Sequence, residues 1–297
     1  MKQIVVMKAL CGFADRVRCL NQCFAYCDAH DALFCPDWED GVWGMPFDEM
    51  FEIRHVQTIS KADMLKQVRD GAVVEPACWT AELLDAPMGY EMVGDMYCSK
   101  FMVNEACIKN LSYIDADILI CNGGGMSSWN YPLLTECLWI RPDVVDLMKP
   151  YLDKLRTTTL LIHLRGTDRP TTEFMESMLE LYEKLGPAYT DNSYLISDSP
   201  KSVEAWRKHF NTPLFRPDAG VFRIPDKGRG THTYTDEELK EFGVSKRQLN
   251  LETLIDFFAL ALCTNSLGLD LSYFHSVSRI LWLQGSRVNR MLQGYFV

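Results

Sequence analysis

From Thr158 to Asp198 the chain writes one pattern twice: an apolar run that turns polar only at its carboxyl end, followed by a stretch with helical spacing. Thr158 to Leu164 is the first run, and Tyr194-Leu195-Ile196-Ser197 the core of the second. Between them Phe174, Met178, Leu181 and Leu185 recur at intervals of three and four, the stripe of an amphipathic helix. A continuous apolar run is what a strand covered on both faces requires, and strand, helix, strand in that order forces parallel pairing. The pattern continues with a helix over 200–210, a short strand near Leu214, a helix over 251–263, a strand over 267–271 and a helix over 273–283.

The first half carries the same signature less regularly. A strand is predicted at Gln3 to Lys8, a turn at Gly12, a helix from about Ala14 to Ala29, and strands at Ala32 to Cys35 and Asp117 to Cys121, the last running into Gly123-Gly124-Gly125. Lys61 to Arg69 and Tyr97 to Leu111 read as helices. With 297 residues and about 150 per domain, the chain is expected to form two α/β lobes. Residues 1–150 and 151–297 are the expected lobes, and Val144 through Leu155, with Pro150, the link between them. The fold class is thus α/β, two Rossmann-like lobes with parallel sheets.

Composition sets outer bounds. Hydrophobic residues at 47% and charged ones at 24% belong to a folded chain with a sizeable core. A net charge of -10 without any dense basic block disfavours nucleic acid and anionic membranes as partners, so an anionic ligand needs a local positive pocket. Arg165, Arg169, Arg216 and Arg223 are candidates for one. Lys8 and Asp15 interrupt the amino-terminal apolar stretch, and the run from Phe257 to Cys263 is far short of the ~20 residues that span a bilayer. A soluble, cytoplasmic chain is expected. Eleven cysteines, an odd number dispersed along the chain, read as reduced thiols. Cys19, Cys23 and Cys27 lie on one predicted helix, where the first and last stand about 12 Å apart, too far to share an ion. No metal site is expected.

Chemistry concentrates where apolar runs end. His163 and Arg165 are two apart and so on one face, at the carboxyl end of a strand, where open parallel sheets bind ligands. Arginine there suits a pyrophosphate and histidine a base, ribose or phosphate; the alternative is a core histidine beside an ordinary Arg165–Asp168 ion pair. Asp198 ends the next strand, with Ser199 and Pro200 as cap and first residue of a helix. Its carboxylate suits the N–H groups of a guanine, or serves as a capping acid. Ser272, Ser276 and Ser278 flank a helix start that offers backbone N–H groups to an anion, or simply cap it. Glu173 follows Thr172 in the first turn of a helix, where the dipole favours its anion, the form a general base needs. Gly12, Asp15 and Arg16 occupy the turn after the first strand, with too few glycines for a dinucleotide fingerprint. Between Arg216 and Asn250 periodicity lapses, apart from a capping box at Thr235-Asp236-Glu237-Glu238, leaving a long loop that is either a lid or a surface insertion.

The stretch His163-Leu164-Arg165-Gly166-Thr167-Asp168, continued to Thr172-Glu173, resembles the first motif of core fucosyltransferases, H-V-R-R-T-D-K-x-G-T-E. Leu195-Ile196-Ser197-Asp198-Ser199-Pro200 is similar to their second, L-A-T-D-D-P, and Ser272 to Arg279 loosely to a serine-rich third. Gly12 to Arg18 resembles their G-x-G-[ND]-R/Q loop, and Trp38 and Phe51 fall where they carry aromatics. Gly166 replaces a second arginine, Ser199 a second acid and Ala14 a second glycine. The chain thus resembles the superfamily of core-fucosylating, nodulation-factor and protein-O-fucosylating enzymes.

That resemblance implies a GT-B arrangement with the donor on the second lobe and the acceptor in the cleft towards the first. It implies GDP-fucose as donor, a glycan or other hydroxyl acceptor, Arg165 on the pyrophosphate, His163 on the nucleoside and Glu173 as base. Transfer would invert the sugar without a metal or other cofactor. Another nucleotide sugar on the same fold, or a non-catalytic nucleotide- or glycan-binding protein, are the alternatives.

Overall fold

The computed structural model describes residues 2–8, 12–38, 43–85, 90–93, 96–99, 108, 111–121, 131–166, 172–225, 234–268 and 273–295. The chain divides into two compact units, Met1–Pro142 with Asn289–Val297, and Asp143–Val288. Residue 150 falls inside the helix Pro142–Lys154, so the predicted link from Val144 to Leu155 is helical, with Pro150 in its interior. The last nine residues return to the first unit, where buried Met291 and Leu292 and a hydrogen bond from Gln293 Nε2 to the Ile140 carbonyl (2.7 Å) hold them. No local pattern announces that return.

In the first unit, β1 (Ile4–Met7) lies between β2 (Leu33–Pro36) and β7 (Ile118–Cys121), with β4 (Val74–Glu75) at the outer edge, all parallel. The helix Phe13–His30 joins β1 to β2 and sets Phe24 edge-on to Phe34, ring centroids 5.1 Å apart. Ile4, Val6, Ile118 and Ile120 share the face that packs on Met64, Leu65, Trp79 and Leu84. Two antiparallel pairs escape the sequence reading. β3 (Phe51–Ile53) pairs with β8 (Leu138–Ile140), some 85 residues later. β5 (Tyr90–Val93) pairs with β6 (Met96–Ser99), which corrects the expectation of a helix starting at Tyr97. Only Gly94-Asp95 separates these strands, a hairpin spacing that outweighs the helical period read there.

The cysteines of the first helix meet a partner that spacing could not supply. Cys121 at the end of β7 joins Cys19 and Cys23, their three sulfurs within 4.8 Å of one another, while Cys27 stands outside the group. Burial pushes the Cys23 thiol well above its ordinary value, and neighbouring thiols add to the rise. In that setting the Cys23 thiol stays protonated.

The second unit is built on β9 (Leu160–Leu164), flanked in parallel by β10 (Ser193–Ser197) and β11 (Ser266–Gly268). Leu214 bridges to Leu195 at the outer side of β10. Alternation along β9 sends Leu160, Ile162 and Leu164 to a core with Phe174, Met178 and Tyr182 of the helix Thr172–Glu183, together with Leu195 and Trp206. Leu161 and His163 then point to the opposite face. The helix Pro200–Arg207 starts as predicted, with Ser199 accepting from the Ser202 N–H and Pro200 in the first turn. The capping box at Thr235 opens a five-residue helix, Asp236–Lys240. The next helix, Lys246–Leu262, begins five residues before the predicted start because Ser245 caps it. No helix among the described residues is long and apolar enough to cross a membrane.

Candidate active site

The carboxyl ends of β9 and β10 carry three of the predicted residues, His163, Arg165 and Asp198. His163 pairs in register with Ile196 on one side and Gly268 on the other. It is 4% exposed, and its Nδ1 has no hydrogen-bond partner among the described residues. The ring lies 5.4 Å from that of Phe274 and 6.1 Å, nearly parallel, from that of His275. Burial, then His275 and Arg165, push the His163 pKa well down, so the imidazole is neutral at physiological pH, with one nitrogen a donor and the other an acceptor. A buried, neutral imidazole with an unsatisfied ring nitrogen suits a polar ligand rather than an apolar core.

His275 is a residue that sequence reading missed. It sits in the first turn of the helix Tyr273–Trp282, and its Nε2 is 3.0 Å from the Ser266 hydroxyl. Its ring covers Gly268, where a Cβ would come within 2.8 Å of it. The absent side chain at 268 is thus what lets His275 approach His163. A Gly at the end of a short strand was the available signal, since it marks close approach of another group.

Arg165 is half-buried, the first residue after β9. Asp198, the first after β10, accepts the Gly166 N–H at Oδ1 over 2.8 Å. Ser197 Oγ donates to the Leu164 carbonyl (2.8 Å) and accepts the Ser199 N–H (3.1 Å). Gly166 is buried against the start of the helix Pro200–Arg207. A Cβ there would overlap Ser202 Oγ and come within 2.6 Å of Ser199 Cβ. No side chain fits at 166 as the turn stands.

The remaining predicted residues are distributed differently. Glu173 is the second residue of the helix Thr172–Glu183, which places its backbone in the first turn; its side chain, like Thr167, Asp168, Arg169 and Ser272, lies outside the described residues. So do Gly123 to Gly125. Ser276 is half-buried in the helix Tyr273–Trp282, whereas Ser278, two residues on, is fully buried and donates to the His275 carbonyl at 2.7 Å. Past the first turn, a hydroxyl bonds back into its own helix.

Arg216 is fixed in a buried network. Its Nε and Nη2 donate to the two Asp256 carboxylate oxygens at 2.7 and 2.5 Å, and Glu252 lies 3.4 Å from Nη1. Glu252 also accepts the Gly220 N–H at 2.7 Å, so the arginine anchors the start of the 216–250 segment. Arg223 donates to the Gly243 carbonyl (3.0 Å) and Gln248 (3.2 Å) within that segment.

Gly12, Asp15 and Arg16 belong to the first unit. Gly12 caps the helix Phe13–His30, Asp15 lies 3.5 Å from Arg18, and Arg16 is fully buried beneath Trp38 and Trp43, 4.9 and 5.6 Å from their ring centroids.

No family model matches the sequence, and no curated protein matches it. Solved structures do. The α-1,6-fucosyltransferase NodZ soaked with GDP-fucose superposes with a TM-score of 0.62 over 95% of this chain and 93% of that one, at 16% identity. NodZ from Bradyrhizobium gives 0.63 over 95% and 94%, at 14% identity. NodZ co-crystallised with GDP gives 0.59 over 95% and 93%, also at 14%. At such identities what is shared is the fold, and it extends over nearly the whole of both chains. The chain thus has the GT-B-like α/β fold that these structures share.

Proposed function

We propose that the chain is a glycosyltransferase that moves fucose from GDP-fucose to a hydroxyl of a glycan or other acceptor. The observation that carries this reading is the meeting of neutral, buried His163 with half-buried Arg165 and Asp198 beyond the carboxyl ends of two parallel strands. That edge is where a doubly wound sheet binds nucleotides. The likeness to structures of NodZ holding GDP and GDP-fucose supports the choice of donor.

In the proposed reaction Glu173 takes the acceptor proton as the acceptor oxygen bonds to the anomeric carbon of fucose. The bond from that carbon to the β-phosphate oxygen breaks, its electron pair leaves with GDP, and the sugar inverts. Arg165 meets the charge that grows on the diphosphate; a placed donor of this kind lowers a barrier by roughly 3–4 kcal/mol. His163 binds the nucleoside part through its open ring nitrogen. With arginine and backbone dipoles meeting the phosphate charge, the reaction proceeds without a metal, and activity is expected to survive a chelator. Dependence on added manganese would contradict that.

The test is calorimetry with GDP, UDP and ADP, followed by transfer of labelled fucose to an acceptor panel. GDP should bind in preference, and Glu173→Gln should bind GDP while losing transfer. Preference for UDP or ADP would favour another nucleotide sugar, an alternative consistent with Ser199 in place of a second acid. Binding without transfer to any acceptor would favour a non-catalytic nucleotide-binding protein.

A further inference from the structure

Arg165 follows the end of β9 and so is the first residue outside the sheet ladder, yet both peptide units that flank it are held from β10. The Leu164 carbonyl, on its amino side, accepts from Ser197 Oγ at 2.8 Å. The Gly166 N–H, on its carboxyl side, donates to Asp198 Oδ1 at 2.8 Å. Ser197 is itself fixed by the Ser199 N–H, and Gly166 is pressed too closely against Ser199 and Ser202 to carry a side chain. A carboxylate at the rim of a pocket for a diphosphate repels that ligand unless it serves another group. Here it serves the turn.

On the reading of this edge as a diphosphate site, we infer that Ser197 and Asp198 are positioning residues for Arg165. They pin the two peptide planes around it, so that its guanidinium starts from one fixed backbone. Asp198 acts through the Gly166 amide and does not read the nucleotide base. The clamp is indifferent to the base, so losing it weakens every ligand that carries the diphosphate, by the same factor.

The experiment is calorimetry on the full chain with two probes, GDP and inorganic pyrophosphate, for the wild type and for Asp198→Asn, Asp198→Ala and Ser197→Ala. An amide oxygen can still accept the Gly166 N–H, so Asp198→Asn should bind both probes within about twofold of wild type. Asp198→Ala should weaken both by about tenfold, with the number of sites unchanged. A purely structural defect would instead lower the number of competent sites and the melting temperature while the remaining sites kept their affinity, and that outcome overturns the inference. Loss of GDP alone in Asp198→Ala or Asp198→Asn, with pyrophosphate untouched, also overturns it, because Asp198 would then touch the base. Should Asp198→Ala not fold, Ser197→Ala removes the other clamp bond and is judged by the same uniform loss. A wild type that binds pyrophosphate but no nucleotide would end the nucleotide-sugar reading and leave this inference standing. One that binds neither ends both.

Discussion

Each unit has a parallel sheet whose central strand carries a basic residue at or just beyond its carboxyl end, and the two treat that residue in opposite ways. In the first unit Lys8 follows β1 and is almost fully buried, its Nζ 2.6 Å from Asp37 and 2.9 Å from the Leu84 carbonyl, with Lys61 on the other Asp37 oxygen at 3.1 Å. Arg16, one turn into the following helix, is roofed by tryptophans. In the second unit Arg165 stays half-buried while neighbouring side chains hold its backbone. The same topology thus yields a charge locked into the core and a half-buried charge just past a strand end. Topology alone places the residue; the neighbours decide its use.

That contrast can be broken by substitution. The largest effect is expected from Lys8→Met, which leaves Asp37 buried with Lys61 as its one cationic partner among the described residues. Unfolding in urea should show a loss of about 3 kcal/mol, the low end for breaking a buried pair, with GDP affinity of the folded protein unchanged. The mirror image is Arg165→Ala. If the proposed function holds, transfer from GDP-fucose should fall by roughly 10²–10³, close to the loss of one placed anion donor, while the urea midpoint stays put. If Lys8→Met abolished binding, or Arg165→Ala unfolded the chain, the assignment of the two edges would be reversed.

A smaller effect should appear with pH. The folded state holds the His163 pKa well below its ordinary value, chiefly by burial, so the unfolded chain takes up the proton first as pH falls. This contribution to stability is complete above about pH 6.5, the unfolded value, and is lost progressively below it. Wild-type stability should therefore drop more steeply below pH 6.5 than that of His163→Phe, measured by denaturant melts across pH 5 to 8. Parallel pH profiles would show that His163 is not held neutral.

The smallest effect is expected at Thr235, whose side chain accepts the Glu238 N–H while Glu238 returns a bond to the Thr235 N–H at 2.8 Å. Thr235→Ala should cost about 1 kcal/mol of stability. GDP affinity should not change, since the segment is anchored independently by Arg216 and Glu252.

Features that rest on neighbours in sequence were readable. The strand at 193–197 and the helix Lys61–Arg69 match their predicted bounds, and the caps at Ser199 and Thr235 are where the residue types put them. The position of His163, Arg165 and Asp198 at strand ends was readable because polar residues closing an apolar run mark a strand's carboxyl end. His275 was not, because its meaning depends on a missing side chain at Gly268, which becomes its neighbour only through β11. Arg216 read as a candidate for the anion pocket because its partner Asp256 is 40 residues away, on a helix that brings it to 2.7 Å.

Sequence by itself thus determined the α/β class, the parallel order of the second unit and the edge on which polar groups gather, since these follow from local periodicity and strand-end chemistry. Tertiary structure decided which of those charges are held in the core and which remain at the edge. It did so through contacts between residues far apart in the chain, where burial and partner geometry, not residue type, set the energy of a charge.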